Sequence, residues 1–338
     1  GRWPSQTTLA DSPADCDEFH WPRCSALVSV KAMTPEKNAS GLRAVFVGES
    51  GIRPGWRFAL FVGLYYLSNP VLEYVLPKVH FPDWNMTWFG MVTNEWLNFA
   101  IIAVLTWAMC RIDRTPFLSY GLRTSRGWMR LFMQGVAWGV VPSIVIVIPI
   151  WLAGVCSFHG LALPPSELIK YAALWALAFL GVGFAEEFTF RGYALQTLAE
   201  GIGFWPAAAI LSSVFGLVHL IFKPDEGWID PLSVALYGMF WCLTLRRTGT
   251  LWFAIGFHAA SDYTDMVVFA EPNTGNAGKP LPGHLLNVEY HGPAWLTGGP
   301  RGTEASVLVF AILAALFYLF HKTYPAKRAT AEHALTAK

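Results

Sequence analysis

Apolar stretches long enough to cross a bilayer recur along most of this sequence, and that recurrence leaves few folds open. A transmembrane helix needs about 20 predominantly apolar residues. Eight stretches reach or approach that length: residues 55–76, 94–110, 131–155, 167–198, 204–222, 231–246, 250–270 and 304–321. The third runs from Leu131 to Val155 without a charged residue. Pro70, Pro142 and Pro149 mark expected kinks. Inside lipid only helices and closed barrels satisfy their own backbone groups, and stretches of this length select helices. The expected class is an all-α polytopic membrane protein with about eight transmembrane helices.

Composition supports this. Charged residues make up 14% and hydrophobic residues 54%, whereas a soluble domain carries about 25% charge. Aromatics reach 15%, with 16 Trp, which suits a chain anchored at two membrane interfaces. The net charge of +1 excludes a strongly basic nucleic-acid binder, so the bilayer is the first expected partner. Cys16, Cys24, Cys110, Cys156 and Cys242 form no CxxC pair and carry no functional signal.

The connecting segments divide sharply in charge. Arg53 and Arg57 flank the first stretch. Arg111, Arg114, Arg123, Arg126 and Arg130 lie between the second and third, Arg246 and Arg247 between the sixth and seventh, and Lys322, Lys327 and Arg328 after the eighth. The alternate connections hold only Lys78, Lys223, Lys279 and Arg301. By the positive-inside rule both termini are cytoplasmic and the chain is multi-pass. The expected organisation is a tail over residues 1–50, with 1–32 read as an upstream extension, a membrane domain over 51–322, and a tail over 323–338. Residues 116–130 are expected to lie along the cytoplasmic interface. The Gly- and Pro-rich connection 271–303 reads as a connector, with a lid as the alternative.

Ionisable residues within a membrane are costly and by default mark function. Here they cluster. The fourth stretch holds Glu186, Glu187 and Arg191, the fifth His219, and the seventh His258, Asp262 and Asp265. Glu187 lies about 21 Å of helix before the turn at Gly201, His219 about 24 Å after Gly203, and His258 about 17 Å after Arg247, at about 1.5 Å per residue. Comparable depth on three helices points to one shared site. Residues four apart share a face, so Glu187 can meet Arg191 and His258 can meet Asp262. Adjacent glutamates point about 100° apart, which lets one face a cavity while the other holds Arg191. Taken singly, a membrane histidine is more often a helix–helix hydrogen bond, and Glu187–Arg191 a structural pair.

Three motifs fall on these residues in order. Glu186-Glu187-Phe188-Thr189-Phe190-Arg191 is an EExxxR, Phe215 to His219 an FxxxH, and His258 to Asp262 an HxxxD. Together they resemble the CAAX protease and bacteriocin-processing family of intramembrane proteases, of the type II CAAX prenyl endopeptidase kind, over about 165–270. Gly121-Leu122 is a softer match. The resemblance implies an eight-helix bundle with an intramembrane site opening to the cytoplasm, and endopeptidase activity on a membrane-anchored or prenylated-type protein or peptide. The third motif ends in Asp262 where Asn is also common, and Asp cannot donate an amide hydrogen bond.

Peptide hydrolysis needs an activated water, a stabilised oxyanion and a proton for the leaving amine. Glu186 is the expected general base. His219 positions the water, and His258 stabilises the oxyanion, oriented by Asp262 through a carboxylate–imidazole bond. Glu187 and Arg191 are the expected supporting pair. Zinc is an open alternative, with Glu187, His219, His258 and Asp262 as ligands of acceptable type, although no HExxH is present. The expected location is the plasma membrane. Two rival readings stand beside hydrolysis. One is a non-catalytic immunity or scaffold protein that keeps the site as a binding pocket. The other is a transporter, disfavoured because the polar residues occupy only the second half of the chain and no repeat is evident.

Overall fold

A computed structural model describes residues 45–48, 51–75, 86–222 and 227–326. Most of the expected N- and C-terminal tails, and Lys78 and Lys223, lie outside the described residues. Eight helices fall on the eight apolar stretches: α1 (Pro54–Val75), α2 (Trp88–Asp113), α3 (Trp128–Leu152), α4 (Pro165–Ile202), α5 (Phe204–Phe222), α6 (Ile229–Thr248), α7 (Trp252–Asp262) and α8 (Leu308–Thr323). Four of them, α2, α3, α4 and α5, are long and apolar enough to cross a membrane by length and composition. The rest fall short for local reasons. Helix α8 has 16 residues, and α6 carries Asp230 in its first turn and Arg246 and Arg247 in its last.

Helix boundaries follow from capping chemistry. Thr87 Oγ1 accepts a hydrogen bond from Gly90 N–H and opens α2, and Arg114 in a left-handed conformation closes it. Pro165 sits in the first turn of α4, where its missing N–H is no loss. Gly249, also left-handed, ends α6.

Two ends of the bundle can be told apart. The starts of α1, α3, α5 and α7 gather with the ends of α2, α4, α6 and α8. There Arg57 Nη1 donates to Asp113 Oδ2 at 2.9 Å, a second Arg57 nitrogen pairs with Glu200, and the Tyr193 hydroxyl donates to Asp113 at 2.8 Å. Leu251 N–H donates to Gly121 O, and Trp252 Nε1 to Arg123 O. Arg57 is 1% exposed. It is therefore the centre of a buried ion cluster rather than an interfacial cation flanking α1. Arg111, Arg114, Arg123, Arg126 and Arg130 are all exposed at this arginine end.

The opposite end carries an element the all-helical reading lacked. Strand β3 (Cys156–Leu161), after α3, pairs antiparallel with β4 (Leu286–Tyr290), between α7 and α8, with Phe158 opposite Val288. A smaller pair, β1 (Val47–Gly48) with β2 (Gly51–Ile52), precedes α1. In β4 the exposed Asn287 and Glu289 flank buried Val288, the period-2 alternation of a half-buried strand. That pairing makes the 271–303 connection an ordered cap. Ser233 Oγ donates to Glu304 O at 2.8 Å, and Trp175 Nε1 to Pro282 O at 3.0 Å.

Small residues set the tightest helix contact. The Cβ positions of Gly135 and Gly139 in α3 point at the backbone oxygens of Phe253 and Phe257 in α7. The backbones touch there because no side chain intervenes, the usual device for close approach between membrane helices. The arginine end is filled by an apolar core that includes Ile102, Met109, Phe188, Leu195, Leu245 and Leu251.

Candidate active site

Helix α4 departs from regular geometry at its motif. A π-helical turn spans Phe188–Ala194, and Gly192 takes φ −74°, ψ −118°. Such turns are frequent at functional sites. Glycine is required at 192 because a Cβ there would lie 2.9 Å from the Phe188 ring. The turn carries Arg191 inward, 1% exposed, with its guanidinium carbon 4.7 Å from the Phe215 ring centre and 5.3 Å from that of Trp241. Cation–π attraction holds the charge there. Arg191 Nη1 donates to Glu187 Oε1 at 3.3 Å.

Glu187 is fully buried, and the same Oε1 lies 2.9 Å from His258 Nδ1. A carboxylate only accepts, so Nδ1 carries the hydrogen. The opposite edge of the ring faces the other two acids: His258 Nε2 is 3.6 Å from Glu186 Oε2 and 3.5 Å from Asp262 Oδ2. Trp241 stacks on the imidazole, 4.1 Å between centres at 14°. His219 Nδ1 lies 2.9 Å from Phe215 O. A carbonyl accepts, so Nδ1–H donates and Nε2 is the acceptor nitrogen in the neutral ring.

A cavity of about 290 Å³ joins these groups. Glu186, His219, His258, Asp262 and Asp265 line it, with Phe215 and Trp241 as apolar walls. Glu187 and Arg191 sit behind His258, outside the lining. Glu186 thus faces the cavity while Glu187 pairs with Arg191. The orientation of His258 differs from expectation. Glu187, not Asp262, makes the short bond that fixes the ring, because four residues along α7 bring Asp262 to the Nε2 edge, which Glu186 shares.

That edge assignment also bears on zinc. Glu187 and Asp262 lie on opposite edges of His258 and cannot join it on one ion. Among the described residues no three His, Cys, Asp or Glu side chains converge as a metal site. The expected ligand set of Glu187, His219, His258 and Asp262 therefore does not fit one ion.

Three participants escaped the sequence reading. Trp241 had no signal among so many tryptophans. Glu95 lines the cavity from α2; it lies inside the second apolar stretch, so the rule that picked out Glu186 also applied to it. Glu271 lines the mouth and is 3% exposed. Its carboxylate accepts from Thr303 N–H at 2.7 Å and Thr303 Oγ1 at 2.9 Å. Burial, reinforced by Glu304 against these two bonds, pushes the Glu271 carboxyl up to about 7.

Residues 168–264 match the family model described as type II CAAX prenyl endopeptidase Rce1-like. Over that segment the chain is similar to the Rce1-like family. The match runs from the first turns of α4 through Thr264, so it takes in all three motifs and leaves out α1 to α3, the cap and α8. Comparison with curated proteins and with solved structures gave no match. The match covers 97 of the chain's 338 residues, and the likeness suggests a membrane protease acting on a protein or peptide.

Proposed function

We propose that this protein is an intramembrane endopeptidase in which Glu186 activates water for attack on a peptide bond of a membrane-associated or prenylated-type substrate. The observation that carries the reading is the meeting of Glu186, His219, His258 and Asp262, all within the segment similar to the Rce1-like family, around one cavity. Glu186 takes a proton from the water as its oxygen bonds to the carbonyl carbon. His219 Nε2 accepts from the water's second hydrogen and orients it. His258 donates from Nε2 to the developing oxyanion, and Glu187 balances the charge on the ring through Nδ1. Glu186 then passes its proton to the leaving nitrogen as the C–N bond breaks. Asp262 shares the Nε2 edge of the ring with Glu186, and Glu187 fixes the ring from the other edge. Arg191 holds Glu187 in place through its Nη1 hydrogen bond.

All eight helices cross the membrane in this reading, which is set in a plasma membrane with both termini cytoplasmic. Four helices are long and apolar enough to cross it by length and composition. The other four are packed beside them in antiparallel succession and share their two ends.

The test compares wild type with Glu186→Gln at matched expression, reading new protein termini in the membrane proteome by mass spectrometry. Termini that appear only with the wild type establish the protease and name its substrates. Identical termini from two folded proteins refute it and leave a binding or immunity role.

A further inference from the structure

The catalytic cavity is unevenly charged. Among the described residues that line it are six acids, Glu95, Glu186, Asp262, Asp265, Glu271 and Glu304, against one arginine, Arg301, and no lysine. Arg301 Nη1 lies 3.4 Å from Asp230 Oδ2, and Asp230 is outside the lining. The one fixed cation is therefore shared with an acid that is not part of the cavity. His219 and His258 are the remaining basic groups of the lining, and both face the reacting atoms.

Three of the acids form a wall beside the reacting edge. A second π-helical turn, Tyr263–Val268, follows α7 and carries Asp265, about one turn beyond Asp262. Glu271 N–H donates to Asp265 O at 3.0 Å, which ties the start of the cap to that turn. Thr303 holds the Glu271 carboxylate from the far end of the cap, and Glu304 is the next residue along the chain. After burial, repulsion by Glu304 helps to push the Glu271 carboxyl up to about 7. Asp265 Oδ1 is buried and has no hydrogen-bond partner. A buried acceptor without a donor is costly, and a cleft lined by one sign of charge concentrates ligands of the other. An ammonium or a guanidinium brings both the donors and the charge. An amide brings donors alone, and a carboxylate is repelled.

We propose that the wall of Asp265, Glu271 and Glu304 selects substrates with a lysine or arginine within two residues of the bond cleaved. One helical turn advances about 5.4 Å and an extended chain about 3.3 Å per residue, which sets that two-residue reach from the Asp262 edge to Asp265. The cationic side chain donates to Asp265 Oδ1, while Glu271 and Glu304 supply the surrounding negative field. The inference rests on the hydrolytic reading for what happens to the bound segment.

Binding tests it apart from hydrolysis. The full chain carrying Glu186→Gln, purified in detergent, is titrated into two fluorescent alanine–leucine peptides that differ only in a central lysine or methionine. Methionine is similar to lysine in length and carries no charge. Fluorescence anisotropy should show the lysine peptide bound at least tenfold more tightly, and adding Asp265→Asn should bring that ratio below threefold. Glu304→Gln gives the same readout from the cap should Asp265→Asn fail to fold. Equal affinity for the two peptides, no binding of either, or a ratio unchanged by the substitutions overturns the proposal. The protease is judged separately by the termini of wild type and Glu186→Gln. A lysine preference with identical termini keeps the cationic subsite and rejects hydrolysis. Termini that depend on Glu186 but lack Lys or Arg within two residues of the cut keep hydrolysis and reject the subsite.

Discussion

Gly139→Ala tests whether the α3–α7 contact sets the position of the active-site histidine. A Cβ at 139 would lie 2.3 Å from Phe257 O and 3.0 Å from Ser261 N, both backbone atoms flanking His258. Backbone cannot swing aside as a flexible side chain does. Restoring ordinary contact at about 3.4 Å or more requires α3 and α7 to part by about 1 Å. Overpacking of that size costs about 1–3 kcal/mol, which lowers the melting temperature by several degrees in a chain this long. Gly63→Ala is the control. Nothing lies within 4 Å of the Cβ position at Gly63 in α1, and alanine is the better helix former by up to about 1 kcal/mol. Thermal unfolding in detergent, followed by tryptophan fluorescence, should show Gly139→Ala melting below wild type and Gly63→Ala at or above it. The reasoning fails if Gly139→Ala melts within experimental error of wild type, or if Gly63→Ala loses as much. Hydrolysis, once a substrate is known, should suffer more than stability in Gly139→Ala, because a displacement of about 1 Å at a catalytic group costs on the order of 100-fold in rate.

Two further outcomes follow from the buried ionisable groups. Asp113→Asn leaves the Arg57 guanidinium buried with Glu200 as its remaining acid, and breaking such a pair costs about 3–5 kcal/mol; denaturant or thermal unfolding should show a loss near the lower figure, whereas no loss would mean that Glu200 alone satisfies Arg57. Glu271 has its carboxyl pushed up to about 7 from an ordinary 4.5, so the folded state binds the extra proton between those values. Its contribution to stability is therefore full below about pH 4.5 and is lost as pH rises to about 7. Glu271→Gln should flatten the melting temperature across that window; an unchanged slope would place the titration elsewhere.

The sequence was legible where chemistry repeats at helical spacing. Eight apolar stretches became eight helices, with ends displaced by up to eight residues, and His219, His258 and the glutamate pair came together because costly groups at matched depth have little other reason to exist. What it hid depends on direction within a residue. Spacing brings Asp262 beside His258 but does not say which ring nitrogen it meets. That edge decides whether Asp262 orients the ring or shares the reacting side with Glu186, and whether a metal set can close. The β3–β4 pair was hidden for a different cause, since strands of five and six residues separated by about 130 positions announce no partner. Arg57 shows the opposite error. Counted as one cation among those flanking α1, it reads as topology. Placed 2.9 Å from Asp113 at 1% exposure, it belongs to the packed floor of the bundle, and the exposed arginines of the α2–α3 connection carry the orientation signal without it. A positive-inside count therefore gains force when each cation is weighed by its exposure. Removing Arg57 from the tally leaves the asymmetry between the two ends intact, because Arg111, Arg114, Arg123, Arg126 and Arg130 are all exposed.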